Sequence, residues 1–119
     1  MPNGLSKKQL GEHEVIVVDY RGKTDEELMN IGEALQKLIL KENKFNRRLV
    51  YVKDVNPSPT FRVFLRKMGK NIGHVPSKVA IIGLSPTKRV LMQAYNKLIG
   101  GSLRFYDDEK DGIDYLTSG

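Results

Sequence analysis

The stretch Val15-Ile16-Val17-Val18-Asp19-Tyr20, turned by Arg21-Gly22 and followed by Thr24-Asp25-Glu26-Glu27, decides how this chain folds. A short, unbroken run of β-branched residues marks a buried strand rather than a helix. Thr24 with Glu27 three residues later then has the form of a capping box, in which each side chain satisfies a backbone N–H that the first helical turn leaves free. Leu28, Ile31, Leu35, Leu38 and Ile39 follow at helical spacing, so an amphipathic helix is predicted to run from Thr24 to about Asn43.

The same alternation repeats downstream. Leu49-Val50-Tyr51-Val52 reads as a second strand ending at Lys53-Asp54, with Asn56-Pro57 in the loop after it. Ser58 caps the next helix and Pro59 suits its first position, where no N–H is required. Phe61, Phe64, Leu65, Met68 and Ile72 form its apolar face, and Arg62, Arg66 and Lys70 make a basic stripe opposite. Lys78 to Gly83 gives a third buried strand. Ser85-Pro86 opens another helix, with Val90, Leu91, Ala94, Leu98 and Ile99 expected to face inward and Gly100-Gly101 to stop it. Leu103 and Phe105 mark a fourth strand, and Asp107 is the expected cap of a last helix with Ile113 and Leu116 on its buried side. Leu5 to Leu10 is the candidate for an antiparallel edge strand ahead of Val15. Strands alternating with helices imply βαβ units, a mainly parallel sheet and right-handed crossovers.

A chain of 119 residues is the size of one domain, and 39% hydrophobic with 29% charged residues is an ordinary globular balance. The first residues lack the apolar segment of a signal peptide or membrane anchor, so a cytoplasmic protein without membrane insertion is expected. No cysteine is present, which excludes disulfides and thiolate chemistry; with only His13 and His74, far apart, no metal site is expected. The net charge of +6 is unevenly placed. Between Val55 and Tyr106 there is no acid and there are nine cations, whereas five acids fall between Asp107 and Asp114. Such a basic block suggests an electropositive surface for an anionic partner.

Parallel sheets place ligands beyond the carboxyl ends of their strands, which directs attention to the loops after Tyr20, Asp54, Gly83 and Tyr106. Asp54, Ser58, Arg62, Arg66, Ser85 and Arg89 are the candidate binding residues, and Asp19 and Thr87 belong to the same rim. Ser58 and Ser85 stand at helix N-termini, where unpaired N–H groups and the helix dipole favour a phosphate, bound or covalent. Simple capping is the plainer account of both serines, and Ser58 is the better functional candidate of the two because Asp54 is near. No phosphate-binding glycine motif follows any strand, no G-x-S-x-G elbow occurs, and no histidine neighbours either serine, so no catalytic machinery can be assembled and no cofactor is expected.

Val-Asp-Tyr-Arg-Gly at 18–22, Lys-Asp-Val at 53–55 and Val-Ala-Ile-Ile-Gly at 79–83, in this order and spacing and with Phe105 to Leu116 after them, give the chain a likeness across most of its length. It resembles the SpoIIAA-like branch of the STAS superfamily, in particular small stand-alone bacterial proteins of the STAS/SEC14-like kind. The resemblance implies an α/β fold with a mainly parallel sheet of four to five strands flanked by about four helices. It also implies a non-enzymatic regulatory role, probing a protein partner through a serine at a helix start that a kinase phosphorylates. Ser58 is the residue that matches, although Asn56-Pro57-Ser58-Pro59 lacks the Ser-Gly pattern of that loop. The alternative expectation is an anionic ligand, whether small molecule, lipid or nucleic acid, held by the basic surface; a homodimer fits either reading.

Overall fold

The computed structural model describes residues 1–98 and 102–118 and lays them out as one sheet in strand order β1-β2-β3-β4-β5. The strands are β1 (Leu5–Leu10), β2 (His13–Asp19), β3 (Asn46–Tyr51), β4 (Ser77–Ile82) and β5 (Leu103–Tyr106). The helices are α1 (Asp25–Glu42), α2 (Pro59–Ile72), α3 (Pro86–Leu98) and α4 (Glu109–Thr117). Leu5 to Leu10 does form the antiparallel edge strand, pairing Leu5 with Val18 and Leu10 with His13; the other three pairings are parallel.

The unbroken apolar run of β2 is explained by what covers it. Ile16, Val18 and Tyr20 point to one face, under Leu28, Ile31, Leu35 and Ile39 of α1 and Phe61, Met68 and Ile72 of α2. Val15 points to the other, where it joins Leu49, Ala80 and Ile82 beneath Leu116 of α4. Tyr20 meets Phe61 edge-on at 5.6 Å between ring centroids, locking α2 over the end of β2. Gly32 lets α1 and α2 approach: a Cβ there would lie 2.4 Å from Cε1 of Phe64.

The predicted capping box is present, with Glu27 N donating to Thr24 Oγ1 at 3.2 Å and Thr24 N donating to Glu27 Oε1 at 2.9 Å. Asn43 ends α1 in the left-handed conformation. Three expectations need correction. β3 begins three residues before Leu49, because Asn46 N already bonds Pro76 O at 3.1 Å and extends the ladder. Asp108, not Asp107, caps α4 by accepting from Lys110 N at 3.1 Å, while Asp107 turns to Arg89.

The third correction concerns α3. Val90 and Leu91 are 65% and 68% exposed, and Ala94 is exposed as well. The helix is attached to the sheet by polar groups: the Asn96 amide is buried and bonds both the carbonyl and the N–H of Leu103, at 3.0 and 3.1 Å. Lys88 and Arg89 also reach inward, as described below. Fixing that polar side against the sheet rotates the apolar stripe outward. Ile99, Gly100, Gly101 and the side chain of Leu98 lie outside the described residues.

Candidate functional site

The loops at the carboxyl ends of β2 to β5 form a rim built on short backbone links. Tyr20 N bonds Tyr51 O at 3.1 Å, Val52 N bonds Ile82 O at 3.0 Å and Gly83 N bonds Tyr106 O at 3.0 Å, so each strand exit is tied to the next. Gly83 has φ +91°, and a Cβ there would stand 2.9 Å from Lys53 Cβ and 3.2 Å from Lys53 Cα and N. Only glycine allows that crossing without displacement of the β3 exit.

Two halves of the rim differ in character. On one side Asp19 accepts from Arg21 Nε and Nη2, both at 2.9 Å, and from Arg21 N at 3.0 Å. These bonds hold the Asp19 carboxyl below its ordinary range, with the Arg21 side-chain contact as the largest cause. The Arg21 guanidinium lies over the Tyr51 ring at 4.3 Å, and the Tyr51 hydroxyl donates to Glu109. Desolvation and the Glu109 carboxylate raise the Tyr51 phenol. Arg21, Tyr51, Lys53, Ile82 and Gly83 face Asp107, Asp108 and Glu109 across an open depression of about 320 Å³. Asp19 is committed to Arg21, Asp107 to Arg89 and Glu109 to the Tyr51 hydroxyl.

The other half contains the residues singled out from the sequence. Lys88, in the first turn of α3, donates to Val55 O at 2.9 Å and to Asn56 Oδ1 at 2.7 Å. This clamp brings the β3–α2 loop, with Asp54 and Ser58, beside the α3 start at Ser85. Asp54 is exposed at φ +59°, a conformation aspartate tolerates better than most residues. Ser58 caps α2, its Oγ accepting from Phe61 N at 3.2 Å. Ser85 Oγ makes the corresponding contact with Lys88 N at 3.5 Å, so it is the weaker cap. Arg62 and Arg66 are exposed on α2. Arg89 stands apart from this group, its Nη2 donating to Asp107 Oδ1 at 2.7 Å and joining the basic block to the acidic one.

Sequence reasoning missed Lys88, Tyr51 and Glu109. Each acts through a partner more than thirty residues away, at a separation no local pattern reports. It also missed Arg48 in β3, whose Nη2 donates to Ser77 Oγ at 3.2 Å while its buried Nε has no hydrogen bond. Desolvation pushes the Arg48 guanidinium down to about 10. Among the described residues no group of three or more His, Asp or Glu side chains is arranged to hold a metal ion, and no helix is long and apolar enough to cross a membrane.

No family model matches the chain, and no curated protein matches it. A solved structure does: an uncharacterised protein of the DUF3478 family with a SpoIIAA-like fold, from Shewanella loihica PV-4, superposes with a TM-score of 0.72 over 94% of this chain and 91% of that one, at 18% identity. The fold is therefore SpoIIAA-like, a five-stranded, mostly parallel α/β sheet with four helices.

Proposed function

We propose that the chain is a non-enzymatic regulatory module of the cytoplasm that captures a protein partner on the rim formed by Asp54, Ser58 and the exposed basic side of α2. The observation that carries this reading is the Lys88 clamp. One ammonium holds two adjacent residues of the β3–α2 loop, Val55 and Asn56, and a preorganised loop loses little freedom when a partner docks. Asp54, Arg62 and Arg66 are exposed around it.

Ser58 is the switch in this reading. A phosphate on its Oγ would sit at the N-terminus of α2, where free N–H groups and the helix dipole favour it, with the cations of the helix nearby. The added charge would change the face that the partner reads. Intact-mass and peptide mass spectrometry of protein from its native cells should locate a phosphate on Ser58, and Ser58→Asp and Arg66→Glu should each alter partner capture. Capture that is unchanged in both variants sinks this surface.

A further inference from the structure

A surface helix normally turns its apolar stripe to the core, and α3 does the reverse. Lys88, Arg89 and Asn96 hold it to the protein, leaving Thr87, Val90, Leu91 and Ala94 exposed. The crossovers β2-α1-β3, β3-α2-β4 and β4-α3-β5 advance in one direction across the sheet, so the right-handed rule sets α1, α2 and α3 on one face, with α4 on the other. The Lys88 contacts to the β3–α2 loop then place the starts of α2 and α3 side by side. The outward surface of α2 supplies Arg62, Arg66, Lys67 and Lys70 around the exposed Val63. Neither helix contains an acidic residue.

We propose that the α2–α3 face, with Val90 and Leu91 as its apolar ridge and the α2 cations as its flank, docks the protein on an anionic lipid bilayer. Charge selects this occupant. A second copy of the chain placed on the same face by a two-fold axis would oppose two acid-free cationic helices, which repel. A nucleic acid backbone would meet the cations but leave the aliphatic ridge in water. A bilayer rich in acidic headgroups answers both halves, because the cations meet the headgroups and the ridge enters the acyl boundary, as in peripheral amphipathic helices. This docking shares the α2 cations with the partner-binding rim but adds the Val90–Leu91 ridge, which that rim does not use, so the ridge variant tests it separately.

The test is co-sedimentation of the full chain with vesicles of phosphatidylglycerol and phosphatidylcholine, against vesicles of phosphatidylcholine alone. Binding to the mixed vesicles only, weakening as salt rises, is the expected result. Lys67→Glu/Lys70→Glu should reduce partition by more than about five-fold for each position changed. Val90→Asp/Leu91→Asp, at positions already in solvent, should reduce it at least about ten-fold while circular dichroism stays that of the parent. Equal binding to both vesicles, no binding to either, or full binding by the Val90→Asp/Leu91→Asp variant overturns the inference. So does a dimer in size-exclusion chromatography that this variant converts to a monomer, since the covering partner would then be a second copy.

Discussion

Replacing Gly83 by alanine should cost far more than the loss of one glycine ordinarily does, and the excess can be assigned to a single contact. The backbone there has φ +91°, a region that L-residues occupy at a cost of about 1–2 kcal/mol. The new Cβ would also stand 2.9 to 3.2 Å from three atoms of Lys53, inside the ordinary carbon separation of about 3.5–4.0 Å. Two of those atoms are backbone and cannot swing aside, so overpacking adds about 1–3 kcal/mol. The stiffer unfolded chain returns about 0.4–1 kcal/mol, leaving a net loss of about 1–5 kcal/mol, centred at about 3 kcal/mol. Gly22 is the control: its φ is +67° but a Cβ there meets nothing within 4 Å, so Gly22→Ala should cost only about 1 kcal/mol. Urea unfolding followed by circular dichroism measures both, with an unchanged dependence on urea showing that the unfolded state is the same. Losses that agree within about 0.5 kcal/mol would refute the close crossing of the β3 and β4 exits, and with it the rigid rim.

Other expectations follow from individual groups. Burial pushes the Tyr20 phenol up to about 12 from 10.0, so the unfolded chain gives up its proton first; this contribution to stability is intact below pH 10.0 and declines as pH rises to about 12. The decline should approach about 1.4 kcal/mol per pH unit and be missing in Tyr20→Phe, and an identical pH profile for the two proteins would contradict it. Arg48→Met removes a buried guanidinium whose Nε has no partner, and should leave stability unchanged or raise it by about 1 kcal/mol in thermal unfolding; a loss of similar size would mean that the Ser77 bond dominates. Ser58→Ala should cost about 1 kcal/mol as a lost cap and Ser85→Ala clearly less, given their 3.2 and 3.5 Å contacts, and chemical denaturation that ranks them the other way would count against the cap geometry.

The parts of the fold legible in the sequence were those governed by neighbours along the chain. Val15 to Val18, the Thr24–Glu27 box and the Ser58-Pro59 start each contain their own instruction, and each appears where expected. The α3 helix shows where that reasoning stops. Periodicity located the apolar stripe of Val90, Leu91 and Ala94 correctly, but it cannot say which side of a helix will be held down. Lys88, Arg89 and Asn96 decided that, through partners in a distant loop, the acidic segment and β5. The candidate site was legible in the same partial way. Asp54 and Ser58 could be placed at a strand end and a helix start, whereas their common setting depends on Lys88, and the neutralisation of Asp19 depends on how Arg21 folds back.

The Asn96 amide has a further effect on what can be added to the sheet. Ser102 O faces β4, where it accepts from Val79 N, so the N–H and carbonyl of Leu103 point to the open side of β5. Asn96 occupies both, standing in for one residue of an absent sixth strand. A strand of four residues with one outward pair already taken offers an incoming chain almost no ladder to extend. Edge-to-edge growth is thereby steered toward β1, where Lys8 presents an exposed cation to an added strand while Lys7 is already paired with Glu14 and Glu42.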